Sequence, residues 1–233
     1  MATYVTSDLH GMHPERFLKL LKKSGFGKDD WLYVLGDVID RGEHGLRLLT
    51  LLMQMPNAQL LLGNHEDMLL SCRWIFDEIT DDLLEDLSDD RMGTLSAWLA
   101  NGAQPTLDAL KKLSRISPDR VADLFDYLED APLYETVSTE EHDFLLVHAG
   151  LGDFAPDKKL SQYTHSDLLW TRPRLTDRYF RKAIVVFGHT PTAYYGDEHA
   201  GKILRTDTWI DIDTGGRPAL LRLDDLKEIY LDE

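Results

Sequence analysis

Short apolar runs alternate with amphipathic stretches through the first third of the chain, a rhythm that predicts strands alternating with helices. Ala2–Thr6, Trp31–Leu35 and Ala58–Leu62 read as buried strands, and Phe144–Val147 and Ala183–Phe187 repeat the pattern later. Phe17, Leu20 and Leu21 form one face of a helix that Pro14 opens and Gly25 ends. Leu46, Leu49 and Met53 mark a second helix over Gly45–Met55, stopped by Pro56. This β-α-β-α-β succession predicts an α/β fold with parallel strand pairings. From about residue 66 to 130 the pattern turns helical: Val121, Leu124, Phe125 and Leu128 share a face behind a Ser117 cap and Pro118. No Gly/Ser/Pro-rich linker bounds this region, so it is expected as a helical insertion over the sheet within one domain, 1–233. After Pro132 strands return, including Thr208–Ile212 and Ala219–Leu223, with Gly215 and Gly216 as a tight turn between them.

Composition narrows the possibilities. At 233 residues the chain can bury a substantial core without covalent staples, and its single cysteine, Cys72, excludes an internal disulfide. No signal-peptide layout precedes the first strand, and no apolar run approaches the roughly 20 residues needed to cross a bilayer. The expectation is a cytoplasmic protein with no membrane partner. A net charge of −16 argues against general affinity for nucleic acid or anionic lipid, so local positive charge must come from metal ions. Asp77 to Asp90 holds eight carboxylates and no Lys or Arg. It reads as a solvated helical face, or alternatively as an acidic rim that disfavours polyanions and tolerates basic peptides. Trp31, Trp74, Trp98, Trp170 and Trp209 are expected in the core.

The candidate chemistry sits where the apolar runs end. Ser7-Asp8-Leu9-His10-Gly11 follows the first, Gly36-Asp37-Val38-Ile39-Asp40-Arg41-Gly42 the second and Gly63-Asn64-His65-Glu66 the third. His148 and His189 follow the two late runs. Strand ends are where α/β folds build sites. If the first segment stays extended, Asp8 and His10 point the same way and can share one ion. Singly, each block has a plainer explanation as an edge histidine or a structural ion pair; together they form a set of imidazole, carboxylate and amide donors.

These blocks resemble those of the calcineurin-like metallophosphoesterases, and within them the phosphoprotein phosphatase family, most of all the small bacterial and bacteriophage-type protein serine/threonine phosphatases. The matching positions run from residue 8 to residue 214. The resemblance implies mixed β-sheets packed in a sandwich flanked by helices. It implies that Asp8, His10 and Asp37 hold one metal and that Asp37, Asn64, His148 and His189 hold the other, with Asp37 bridging. His65 is then the general acid, Asp40 orients it, and Arg41 and Arg172 bind phosphate, with Arg174 competing for the role of Arg172. The donors include no thiolate, which suits two divalent ions such as manganese, with iron or zinc as alternatives. Two such ions, two aspartates and a bridging hydroxide leave a small positive charge to hold a phosphate.

The leading expectation is hydrolysis of phosphoserine or phosphothreonine on a phosphoprotein partner, by direct attack of the metal-bridging hydroxide. The alternative is a symmetrical diadenosine tetraphosphate hydrolase. Relatives of that kind typically lack the aspartate before the second-block arginine and carry Asp after the third-block histidine, whereas this chain has Asp40-Arg41 and His65-Glu66. A third reading, a catalytically silent binding module, predicts lesions among the ligand positions, and none is present. Glu66 is expected to open a helix, where a carboxylate suits the dipole, with a supporting contact to a neighbouring site residue as the alternative. His13, His44, His142, His165 and His199 are expected at the surface or in loops.

Overall fold

The computed structural model describes residues 1–76 and 88–231. In the first of two sheets, β1 (Thr3–Thr6), β2 (Trp31–Val34) and β3 (Ala58–Leu60) run parallel. β9 (Ala219–Arg222) joins β1 antiparallel, and β10 (Lys227–Tyr230) closes that edge in the order β10-β9-β1-β2-β3. The second sheet has the order β4-β5-β6-β8-β7. Its centre, β5 (Asp143–Val147), β6 (Ala183–Phe187) and β8 (Trp209–Asp211), is parallel, and β4 (Tyr134–Ser138) and β7 (Leu204–Arg205) are antiparallel edges. The expected α/β sandwich of mixed sheets is therefore present.

Alternation along the strands explains the layering, because successive side chains point to opposite faces. Val5, Leu35, Leu61, Phe144, Leu146, Val186, Ile210 and Leu221 meet in one buried cluster between the sheets. Tyr4, Leu32, Val34, Leu60 and Leu220, from the alternate positions, face the helices instead. Those helices are α1 (Pro14–Ser24), α2 (Gly45–Met53), α3 (Asn64–Ser71), α4 (Asp89–Ala100), α5 (Gln104–Ile116) and α6 (Pro118–Glu129). On the far side, Leu145, Val147, Val185, Phe187 and Trp209 pack against Leu151, Tyr163, Tyr179 and Leu168, the last from the short helix α7 (His165–Leu169). Among the described residues no helix is long and apolar enough to cross a membrane.

Several local expectations change. Gly25 ends α1 in the left-handed region at φ 82°, as expected. Ser117 sits between α5 and α6 but caps neither with its side chain. Most of the Asp77–Asp90 stretch lies outside the described residues; its last members, Asp89 and Asp90, occupy the first turn of α4 behind a Ser88 cap. Trp98 and Trp209 are fully buried, whereas Trp170 is 41% exposed and is not a core residue.

Candidate metal centre

All the expected blocks arrive at one end of the sandwich, because β1, β2, β3, β5, β6 and β8 all deliver their following segments there. Asp8 and His10 do not reach it as an extended pair. β1 stops at Thr6, and both residues take the left-handed region, at φ 53° and 39°. Asp37, Asp40, Arg41 and His189 do the same, at 54°, 67°, 62° and 65°. A set of non-glycine residues in this sparsely populated region persists only where the surroundings over-determine it. Here the His10 amide donates to the Asp37 carbonyl at 2.8 Å and the Gly11 amide to the Val38 carbonyl at 2.8 Å, locking the first block to the second. The close approach also demands Gly36 (φ 82°): a Cβ there would stand 2.4 Å from the Gly63 Cα and 2.9 Å from His148 Nδ1.

Asp37 lies at the middle. Its Oδ2 is 3.7 Å from His10 Nε2 and 3.7 Å from His65 Nε2, and its Oδ1 is 3.4 Å from His148 Nε2. Asp8 Oδ1 lies 3.7 Å from His10 Nε2. Two donor groups result, His10 with Asp37 and His65, and Asp37 with His148 and His189, each with its atoms within 4.8 Å of one another. Asn64 Oδ1 adds a further candidate ligand, 2.9 Å from both His148 Nε2 and His189 Nδ1.

These residues fit a pair of cations. The Leu35 carbonyl accepts from His148 Nδ1 at 2.6 Å, which selects the neutral tautomer whose Nε2 carries a bare lone pair. A bare nitrogen at 2.9 Å from an amide oxygen sets one acceptor against another, a contact that a shared cation relieves. The Ile39 carbonyl orients His10 in the same way, at 3.3 Å from Nδ1. Electrostatics agree. Burial, then the neighbouring Asp213 and Asp37, raises the Asp8 carboxyl well above its ordinary range. Burial and Glu66 push Asp37 up to about 7 against the opposing pull of His65 and Arg41. Burial and then nearby cationic groups hold His10 and His189 down to about 2. The site thus favours neutral imidazoles beside carboxylates in need of positive charge, as metal ions require.

Supporting groups surround these donors, and of them the roles of Trp98 and Asp211 were not foreseen from the sequence. Glu66 does lie in the first turn of α3, but it is wholly buried and does more than suit the helix dipole. Its Oε2 accepts from the amides of Asp37 at 2.8 Å and Gly63 at 3.2 Å, and its Oε1 from those of Val38 at 2.8 Å and Ile39 at 3.2 Å. Asp40 Oδ2 accepts from His65 Nδ1 at 2.6 Å and from Trp98 Nε1 at 2.6 Å. Burial would lower the His65 pKa, but Asp40 and the Asp37 charge carry it above its ordinary value. Asp211 and Asp213 form a further buried carboxylate pair, and Asp213 Oδ1 accepts from the Gly215 amide at 2.9 Å, so this segment is a turn, as expected. An Asp two residues before the turn was the available signal for Asp211.

The arginines separate clearly. An Arg41 Nη lies 3.3 Å from His65 Nε2, and its backbone amide is held by the Gly102 carbonyl at 2.9 Å. Gly102 (φ 99°) has no room for a side chain without crowding Arg41, since a Cβ would stand 3.0 Å from its Cγ. Arg172 donates to the His189 carbonyl at 3.3 Å, whereas Arg174 is largely exposed and pairs with Asp177 at 3.0 Å. The structure therefore brings Arg172, and not Arg174, to the centre. His13 and His44 pack ring against ring, and His165 faces Asp67; neither these nor His142 and His199 join the two donor groups.

A two-sheet sandwich in which two donor groups share Asp37 has the architecture and donor set of a metal-dependent hydrolase. The profile of the calcineurin-like phosphoesterase family matches residues 1–216, and the chain belongs to that family. A relative from Haemophilus ducreyi, a symmetrical bis(5'-nucleosyl)-tetraphosphatase, is 35% identical over 153 residues, covering 65% of this chain and 46% of that protein. Other curated relatives carry the same name, and the match spans about half the length of such relatives. Among solved structures, a provisionally named diadenosine tetraphosphatase superposes with a TM-score of 0.63 at 19% identity, covering 99% of this chain and 92% of that one. A yeast protein serine/threonine phosphatase follows at 0.57 and 15% identity, covering 99% and 79%. At such identities the superpositions show the fold alone.

The curated relatives overturn the expectation of a serine/threonine protein phosphatase with a phosphoprotein partner, and favour its alternative. The structure supplies a physical reason for the error. Asp40 and Glu66, on which that expectation rests, are both fully buried, Asp40 holding His65 and Trp98 through Oδ2 and Glu66 holding backbone amides through both oxygens. Neither has a surface to offer a substrate, so neither distinguishes one phosphate compound from another.

Proposed function

We propose that this chain is a two-metal hydrolase of dinucleoside tetraphosphates that cuts the central phosphoanhydride to release two nucleoside diphosphates. The observation that carries the hydrolase reading is the position of Asp37, shared by both donor groups. The names of the curated relatives support the substrate class. Asp8, His10 and Asp37 would hold one divalent ion, and Asp37, Asn64, His148 and His189 the other, with manganese the expected metal. When bound, the two ions supply Lewis acidity at the phosphoryl oxygens and activate water at neutral pH.

The protein's own groups do the rest. Arg41, beside His65, and Arg172, on the His189 carbonyl, bind phosphate oxygens and draw a polyanion into an otherwise acidic protein. Water oxygen bonds to a central phosphorus while the bridging oxygen departs with one nucleoside diphosphate. His65, held by Asp40 with a raised pKa, keeps a proton available for that oxygen. Trp98 and Asp40 fix the imidazole so that Nε2 faces Asp37 and the Arg41 guanidinium.

Product analysis tests this reading. Purified protein with added Mn²⁺ is expected to convert diadenosine tetraphosphate to ADP alone and to turn over phosphopeptides more slowly. Formation of AMP with ATP, or a preference for phosphopeptides, would overturn it.

A further inference from the structure

We infer that Trp170 and Tyr194 form a stacking shelf for one nucleobase of the substrate, a specificity element beside the metal centre. The inference rests on the proposed dinucleotide substrate. Trp170 is 41% exposed and Tyr194 65%, and among the described residues they are the only exposed Phe, Tyr or Trp side chains. Both belong to the site rim. The Trp170 ring stands against the His189 ring at 6.0 Å between centroids and 80° between planes. The Arg172 guanidinium carbon lies 6.0 Å from the Tyr194 centroid. The same arginine donates to the His189 carbonyl, so both exposed rings are linked to this candidate ligand, Trp170 by direct ring contact and Tyr194 through Arg172.

Local structure holds the rings in place. Trp170 follows α7 directly, its amide bonded to the Ser166 carbonyl at 3.2 Å, and buried Pro173 stiffens the segment that carries Arg172. Tyr194 stands in a 3₁₀ turn, Thr192–Tyr195, that starts three residues beyond His189, with its amide on the Pro191 carbonyl at 2.7 Å. A phosphate chain gripped at Arg172 and the metal centre would leave its nucleoside end at these rings. Stacking reads any base by its π face, so the shelf favours a nucleotide over a base-free phosphate without choosing among bases.

Single-alanine variants test the shelf, read by KM for diadenosine tetraphosphate and by the inhibition constant of inorganic phosphate. The second reports the metal and arginine part of the site alone. In W170A and Y194A, KM is expected to rise about tenfold while the phosphate constant moves less than about threefold. W170F and Y194F should restore KM to within about twofold, since a phenyl face still stacks. Equal changes in the two constants, or an unchanged KM in both alanine variants, would overturn the shelf and leave the substrate reading standing. Y194A decides the matter if W170A disturbs His189 or fails to fold, because Tyr194 is mostly solvent-exposed. If the wild-type protein does not hydrolyse diadenosine tetraphosphate, the substrate reading fails and the shelf falls with it.

Discussion

At the floor of the site, Asp37, Asn64, His65 and His148 are at most 2% exposed, whereas at its rim Trp170 and Tyr194 are 41% and 65% exposed. Floor groups are fixed by the protein itself: carbonyls on His148 and His10, Asp40 on His65, Glu66 on the loop that carries Asp37. Rim groups have fewer ties, Arg172 holding a single carbonyl at 3.3 Å. The difference assigns separate tasks. A floor with little freedom specifies reaction class, because metal positions tolerate little displacement. A rim with solvent-facing rings and guanidinium groups has surface left with which to select a substrate.

Substitutions at the floor should sharpen this contrast. The largest effect belongs to Asp37→Asn, which weakens both donor groups at once. Activity should fall by more than the roughly 100-fold typical for loss of an outer partner, with metal content dropping in parallel. Retention of both ions in that variant, read by elemental analysis, would remove Asp37 from the bridging position. His65→Asn should lower kcat by about 10²- to 10⁴-fold and leave metal content intact, as expected for proton transfer. If one ion is lost instead, His65 is a ligand, a role that its 3.7 Å approach to Asp37 permits.

Glu66→Gln comes next. Either orientation of the amide turns an N–H₂ toward backbone N–H groups that now share two carboxylate oxygens. A loss of about 1–3 kcal/mol in denaturant unfolding is expected, with activity falling because the Asp37 loop loosens. Unchanged stability would mean that the loop is held by its other contacts. The smallest effect is a pH slope. The Asp37 carboxyl of metal-stripped protein titrates at about 7, against 3.8 for an unperturbed group. The folded state therefore binds that proton more tightly than the unfolded state, and this group's contribution to stability falls as pH rises from roughly 4 through 7, while His10 and His189, held down to about 2, contribute the opposite slope below their ordinary 6.5. Thermal melts of chelated protein should show this as a decline in the stability of wild type relative to Asp37→Asn over that range, and a difference that does not change with pH would contradict it.

The two regions were unequally legible in the sequence. The floor announced itself because strand runs, Gly-flanked Asp37, Asn64-His65 and the late histidines recur at strand ends, where chemistry is built. Even so, the extended geometry expected for Asp8 and His10 is absent. Tertiary hydrogen bonds to the second loop hold both in the left-handed region, which a period-two pattern cannot show. Glu66 and Trp98 were misjudged because a helix-start carboxylate and a core tryptophan look alike whether or not their polar atoms reach across the fold. Trp170 was misplaced in the core since hydrophobicity alone does not mark a rim residue. Substrate choice was misread for a related reason: the letters that appeared diagnostic, Asp40 and Glu66, turned out to be buried supports.

Anomalous diffraction from crystals soaked in Mn²⁺ tests the central claim most directly. Two peaks are expected on either side of the Asp37 carboxylate, one near Asp8 and His10 and the other near Asn64, His148 and His189. A single peak, or a pair that does not share Asp37, would contradict the account.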